Sequence, residues 1–145
     1  MGKKQKRISP KDYSDTLKKI ELTNLSLDSS TVKLNREEVA NIGLVAKISD
    51  RVSYKQDNDE LIVHHRYTLT VIREDKQQDK KHFFFKISAT FCLFFSANVT
   101  VNDDFFDIFK QKNIPVNTWP YFREFVQNTT QRMNIPPVTL PFRRF

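Results

Sequence analysis

The strongest constraint on the fold is an alternation of apolar and polar residues in two neighbouring segments. In Leu61–Ile72 the odd-numbered residues are mostly apolar and the even-numbered residues mostly polar. In Phe83–Phe95 every odd-numbered residue is apolar, and six of the chain's 13 phenylalanines fall in this segment. Because successive side chains of a strand point to opposite faces of a sheet, both segments are predicted to be strands with one buried face.

Weaker alternation predicts two further strands, Leu17–Leu27 and Val45–Tyr54. In the first of these the apolar residues change face after Leu22, which predicts a bulge near Thr23 and Asn24. The connections between the strands are polar and contain no crossover helix, which favours antiparallel pairing. The predicted fold class is therefore α+β: a four-stranded antiparallel β-meander with one long C-terminal amphipathic helix.

Two helices are expected after the strands. Asn102 or Asp103 is a suitable N-cap for a short, phenylalanine-rich helix. The long helix is predicted to begin at Pro120, after a break at Pro115, and to end before Pro136. Its apolar stripe comprises Phe122, Phe125, Val126, Thr129 and Met133.

Charge and length divide the chain into two parts. The formal net charge is +7, and residues 1–11 hold five lysines and arginines and no acid, so residues 12–145 carry 7 − 5 = +2. Residues 1–14 are predicted to be a disordered basic arm, and residues 15–145 a single domain. Nucleic-acid binding through this arm is an alternative function, although the nearly neutral body makes it an unlikely one.

The chain offers little for catalysis or cofactor binding. With two glycines it has no glycine-rich nucleotide-binding loop. His64 and His65 are adjacent in a strand and point to opposite faces, and Cys92 is the single cysteine, expected to be a buried, inert thiol. We therefore expect no enzyme, no metal site and no cofactor. The apolar run Phe83–Phe95 is too short and too polar to span a membrane, and a cytoplasmic location is expected.

The fourth predicted strand carries more apolar surface than one sheet face can bury. Phe84 and Phe94 lie on the face that its odd-numbered residues leave free. Exposed phenylalanines promote aggregation, so this face is expected to be covered by another copy of the chain or by a partner. A plain core is the simpler reading, and a purely structural oligomer is a further alternative.

The C-terminal segment WPYFREFVQNTTQRMNIPPVTLPF resembles the SecB family of export chaperones. That family has a Pro-aromatic-x-Arg-Glu start to its long helix and then an apolar linker containing proline. Upstream, three of the predicted strands are similar to the family's first, third and fourth strands, so the resemblance covers residues 17–142. The matching residues in the C-terminal segment are Pro120, Tyr121, Arg123, Glu124, Pro136 and Leu140.

The resemblance implies a homotetramer, built as a dimer of dimers, that holds unfolded client polypeptides in apolar grooves without ATP or a cofactor. The client would be a preprotein in export or an antitoxin in a toxin–antitoxin–chaperone system. The client-binding residues implied are Leu44, Ile48, Val138, Leu140 and Phe142. The oligomer-interface residues implied are Phe85, Ile87, Ala89, Phe122 and Phe125.

The chain departs from the family members that serve secretion. Those members carry acidic residues on the outer sheet face, where the export ATPase SecA docks, whereas this chain has Asn24 and Lys86 at the matching positions. It also stops where they continue into a second helix and a SecA-binding tail. Engagement of SecA is therefore doubtful, and these departures suit the toxin–antitoxin branch of the family or another role with a dedicated client.

Overall fold

The described residues form four long strands and three helices. The computed structural model describes residues 8–38, 43–76, 82–136 and 138–143. The helices are α1 (Pro10–Leu17), α2 (Asp103–Phe109) and α3 (Asn113–Arg132); the strands are β1 (Ile20–Leu34), β2 (Leu44–Asp57), β3 (Glu60–Arg73) and β4 (Phe83–Ala97). Two short 3₁₀ turns, Arg36–Glu38 and Glu74–Lys76, follow β1 and β3. Among the described residues, no helix is long and apolar enough to span a membrane.

The strands form one antiparallel sheet in the order β1-β4-β3-β2. The α+β class with a four-stranded antiparallel sheet and a long C-terminal helix is confirmed. The meander comprises β2, β3 and β4, whereas β1 leaves it and pairs with β4 instead of β2. This order gives β4 a neighbour on each side, so that the strand with the most phenylalanine is not an exposed edge open to aggregation.

Strand β1 contains two bulges. Its register against β4 shifts between Leu22 and Asn24, which confirms the predicted bulge, and shifts again between Leu27 and Ser29. The strand then continues to Leu34. The strand therefore extends beyond its predicted end at Leu27, because residues 29–34 are held by pairing with β4 despite their polar composition.

Helix α3 begins seven residues before the predicted start and contains both prolines. Pro115 is its third residue, a position where the missing N–H needs no intrahelical acceptor, so it does not break the helix. Pro120 lies inside the helix, and its ring removes the hydrogen bond to Val116. Pro120 and Val116 are both exposed to solvent. The helix ends in a Schellman motif around Asn134, whose φ is 58°.

Helix α1 corrects the prediction of a disordered arm over residues 1–14. The side chain of Ser9 caps the helix by accepting a hydrogen bond of 3.1 Å from the backbone N–H of Asp12, and Pro10 occupies the first helical position. Tyr13 stacks on Phe105 with ring centroids 4.9 Å apart. This packing orders the segment from residue 8, whereas residues 1–7 lie outside the described part of the chain.

The helices cover one face of the sheet, which we call the helix face; the opposite face is the outer face. α3 packs over the half of the sheet formed by the C-terminal part of β3 and the N-terminal part of β4, where its residues Trp119, Phe122 and Val126 join odd-numbered residues of these strands in one core cluster. α2, capped by Asn102 as predicted, packs with residues such as Leu61 and Leu93 in a second cluster. α3 therefore forms a ridge along the helix face, with an edge strand on either side.

Candidate functional site

An open groove separates edge strand β1 from α3. This β1 groove has a volume of about 250 Å³. Leu27 on β1 and Tyr121 on α3 are 46% and 52% exposed, while Phe91 forms its buried floor. Its other lining residues are Glu124, Phe125, Asn128, Thr129 and Arg132.

On the other side of α3, the C-terminal strip of residues 138–143 runs back along the helix. The backbone N–H of Val138 donates to Thr130 Oγ1 at 3.0 Å. Further on, Arg123 Nε donates to the carbonyl of Leu140 at 2.7 Å, and Trp119 Nε1 donates to the carbonyl of Pro141 at 2.9 Å. Later strip residues thus meet earlier helix residues, so the strip is antiparallel to α3.

Two arginines hold the end of this strip. The Arg123 guanidinium lies 3.8 Å from the centre of the Phe142 ring, and the Arg143 guanidinium lies 3.9 Å from the centre of the Trp119 ring. The contact with Arg123 restricts the Phe142 ring, whereas the Trp119 ring is buried. Phe142 is 87% exposed, so the strip presents a large apolar ring to solvent in a defined place.

The sequence-predicted client-binding residues lie on this side of α3. We call Leu44, Ile48, Val138, Leu140 and Phe142 together the β2 surface. Ile48 and Val138 are half-buried against the same core cluster that contains Leu140, which is buried. Leu44 and Phe142 are the two strongly exposed members. Leu44 and Phe142 are therefore the members of this surface that another molecule could reach, while Leu140 anchors the strip.

The sequence-predicted interface residues have a different position from the one expected. Phe85, Ile87, Ala89 and Phe122 are each at most 1% exposed, between the sheet and α3. They build the core of the single chain, because α3 of the same chain already covers the odd-numbered face of β4. Phe125 is half-buried and lines the β1 groove.

Sequence reasoning missed the apolar residues that do lie on the surface beside the β1 groove. Leu22, Leu27 and Val32 of β1 are 37%, 46% and 42% exposed. They pair with Phe95, Phe91 and Ile87 and therefore share the helix face. The available signal was the apolar residues of β1, but the sequence did not show that β1 is an edge strand.

A chain of buried hydrogen bonds fixes α3 on the sheet. Tyr67 Oη lies 2.9 Å from Thr118 Oγ1, His65 Nδ1 lies 2.8 Å from the same Oγ1, and His65 Nε2 lies 2.8 Å from Asp50 Oδ2. A carboxylate can only accept, which assigns the proton of neutral His65 to Nε2. Nδ1 then accepts from Thr118, whose oxygen accepts from Tyr67.

This hydrogen-bond network does not make Thr118 a nucleophile. Thr118 and His65 are both 0% exposed, so a substrate has no access to the hydroxyl. Burial lowers the pKa of His65 although the hydrogen bond to Asp50 opposes this, and burial raises the pKa of Tyr67 to about 12. The network holds α3 on the sheet while the His65 and Tyr67 side chains are uncharged, and it indicates no catalytic role.

The outer face is basic near the middle of the sheet. Lys86 is exposed and lies directly opposite Lys33, and Lys47 lines a shallow depression with Lys86. Asn24 is also exposed, on the same face. Like charges at directly opposite positions of neighbouring strands repel each other and disfavour the sheet. An acidic partner would relieve this repulsion, whereas a basic partner would add to it.

Cys92 lies on the outer face between His64 and Asp28. Its thiol is buried, and burial followed by the nearby carboxylates of Asp28 and Glu60 raises its pKa. A thiol with a raised pKa is a poor nucleophile. Asp28, His64 and Cys92 are nevertheless of residue types that can hold a metal ion, and their ligand atoms lie within 4.8 Å of one another.

Comparison with solved structures identifies the same fold in a chaperone. The "SecB-like chaperone" Rv1957 of Mycobacterium tuberculosis, solved with a ChAD peptide from the antitoxin HigA1 (Rv1956), superimposes with a TM-score of 0.75. The match covers 92% of this chain and 97% of that chain at 15% identity. The resemblance seen in the sequence is thus confirmed at the level of the fold.

Other comparisons add little. A protein of unknown function from Streptococcus agalactiae matches with a TM-score of 0.42 and 12% identity, over 85% of this chain and 97% of that chain. No protein-family model matches the chain. No curated protein matches it either.

Proposed function

We propose that this protein is a chaperone that holds extended, apolar segments of an unfolded client on the β2 surface. The observation that carries the proposal is Phe142, an 87% exposed aromatic ring held on a strip along α3 of a SecB-like fold. Transferring apolar client side chains from water to this surface would provide the binding energy. Such binding needs no ATP and no cofactor.

The client that we propose is an antitoxin. The M. tuberculosis SecB-like chaperone with the same fold was solved with an antitoxin peptide, which supports a client of this kind. A role in export receives less support, because the outer face has Lys86 and Asn24 at positions where secretion-dedicated members of the resembling family are acidic. Docking of SecA is therefore not part of the proposal.

We further propose that a second copy of the chain covers the β1 groove, within a homotetramer. Leu27 and Tyr121 expose apolar surface on the two walls of this groove, and β1 is an edge strand that a second copy could cover. Replacing Leu27 with Asp should reduce the mass measured by light scattering. An unchanged tetramer in this variant, or a monomeric wild type, would contradict this part of the proposal.

Suppression of aggregation tests the chaperone function. The purified chain, in excess over a chemically unfolded reporter protein diluted into buffer, should delay the rise in light scattering without ATP. An equal concentration of the variant Phe142→Ser should delay it less, because the exposed ring is lost. If neither protein delays the aggregation of a panel of unfolded chains, including an antitoxin, the proposal is wrong.

A further inference from the structure

Three side chains of different ligand types meet on the outer face of the sheet. Asp28 comes from β1, Cys92 from β4 and His64 from β3, three neighbouring strands. Cys92 is directly opposite His64 on one side and Ser26 on the other. Asp28 is the residue that the second bulge of β1 leaves without an opposite partner. The bulge therefore adds a carboxylate beside a cross-strand pair of a thiol and an imidazole.

The spacing of these groups suits a tetrahedral metal ion. Zinc binds sulfur at about 2.3 Å and nitrogen or oxygen at about 2.0–2.2 Å, which places neighbouring ligand atoms about 3.3–3.6 Å apart. His64 Nε2 and Asp28 Oδ2 are 3.5 Å apart. A charge-assisted hydrogen bond between the same atoms would be about 2.7–2.9 Å long. The separation of Asp28 and His64 is thus compatible with two ligands of one ion, and the Cys92 sulfur lies within 4.8 Å of a ligand atom of each.

Burial and charge also suit a divalent cation. Cys92 is 3% exposed, whereas the side chains of His64 and Asp28 are 40% and 51% exposed. The thiol therefore lies at the bottom of the site, and the imidazole and carboxylate form its open side. Two negative ligands, a thiolate and a carboxylate, with a neutral imidazole would balance a charge of +2.

We propose that Asp28, His64 and Cys92 form a binding site for a zinc-type divalent cation. A sulfur, nitrogen and oxygen donor set favours zinc or cobalt over magnesium or calcium, which take oxygen ligands. On binding, the Cys92 thiol releases its proton to solvent and the sulfur bonds to the metal. With three protein ligands, the fourth position stays open to water or to a donor from another molecule.

The ligand sets that the sequence excludes are different from this one. His64 and His65 point to opposite faces of the sheet and cannot bind one ion together. The single cysteine cannot form a cysteine cluster. The proposed site needs one histidine, one cysteine and one aspartate from distant parts of the chain. It lies on the face of the sheet opposite α3, so it is independent of the proposed client binding.

Cobalt titration tests the site. The purified full-length chain, first dialysed against a chelator, is titrated with Co²⁺ while the thiolate-to-cobalt charge-transfer band and the visible ligand-field bands are recorded. We expect one Co²⁺ per chain, a charge-transfer band, ligand-field intensity typical of four-coordinate cobalt, and displacement by Zn²⁺. Cys92→Ser should abolish the band.

The variants His64→Gln and Asp28→Asn decide whether the site is built from all three residues. Each should weaken Co²⁺ binding by at least about tenfold. Both replaced side chains are substantially exposed, so circular dichroism should show an unchanged fold even if Cys92→Ser is unstable. His82→Gln is the matched control, because His82 lies beyond this site, with its ring Nδ1 2.8 Å from Glu38 Oε1; its affinity should equal that of the wild type.

Two results would overturn the proposal. One is the absence of a charge-transfer band at millimolar Co²⁺. The other is a band that persists with unchanged affinity in His64→Gln and Asp28→Asn, which would mean that the thiol acts without them. Either result would leave Asp28 and His64 as an ordinary surface ion pair beside a buried thiol.

Discussion

Replacing Phe142 with Ser is expected to weaken client binding roughly tenfold to seventyfold. Complete burial of a phenylalanine side chain contributes roughly 1.5–3 kcal/mol. In the free chain Phe142 is 87% exposed, so nearly all of this remains available for binding. The available part is about 1.3–2.6 kcal/mol, and about 1.4 kcal/mol corresponds to one factor of ten in the dissociation constant. The estimate is an upper limit, reached when the client covers the whole ring.

Fluorescence anisotropy of a labelled, permanently unfolded polypeptide would measure this loss. Val116→Ser is the control, because Val116 is an apolar residue of α3 that is 55% exposed but lies outside the β2 surface. Thermal unfolding should show that both variants fold like the wild type. Equal affinities in the two variants, whether both unchanged or both reduced, would refute the assignment of the client to the β2 surface.

Three further predictions concern stability and its dependence on pH. Phe122→Ala should lower the free energy of unfolding, measured in urea, by about 3–5 kcal/mol. The reason is that Phe122 is 0% exposed and stacks on Tyr67 with ring centroids 4.8 Å apart. A loss below about 1 kcal/mol would contradict the described core. Burial raises the folded pKa of Tyr67 to about 12, against an ordinary value of 10. The stability that Tyr67 contributes is therefore complete below pH 10 and falls by up to about 1.4 kcal/mol per pH unit as the pH rises towards 12. The variant Tyr67→Phe should show a smaller decrease in stability over this interval. His65 has a lowered pKa, so its contribution is present above pH 6.5 and is lost as the pH falls through the folded pKa. The urea midpoints at neutral and mildly acidic pH should therefore differ less in His65→Gln than in the wild type, and an equal difference in the two proteins would argue against a neutral buried imidazole.

Local sequence patterns predicted much of the sheet and the short helix. The alternation in Leu61–Ile72 and Phe83–Phe95 identified the two central strands, and the face change after Leu22 located a bulge that the structure confirms. Asn102 caps α2 as its side-chain chemistry suggested. These features depend on neighbouring residues, so a single sequence contains the information for them.

Features that depend on tertiary contacts were missed. Pro115 and Pro120 suggested a helix boundary, but packing of Trp119 and Ile114 outweighs the loss of one hydrogen bond at an exposed position. Helix α1 had a cap signature in Ser9 and Pro10, which the basic composition obscured. Whether β1 pairs with β2 or β4 cannot be read from alternation, since both are compatible with one buried face.

The positions of the candidate sites follow from that strand order. Phe85 was assigned to an interface because the sequence did not show that α3 of the same chain covers it. Likewise, Asp28, His64 and Cys92 meet because β1 lies beside β4 and carries a bulge at this position. By contrast, the resemblance implied that the strip after α3 binds a client, which stays a prediction; in the structure the backbone carbonyls of this strip accept hydrogen bonds from Arg123 and Trp119.

The most direct test of the proposed function is photo-crosslinking from the β2 surface. A benzophenone amino acid at position 142 of the full chain should crosslink to an unfolded client, and it should not crosslink to the same protein when folded. The same probe at position 116 should give little product. A client captured from position 142 alone would support the chaperone site proposed here; no product at position 142, or equal product at both positions, would contradict it.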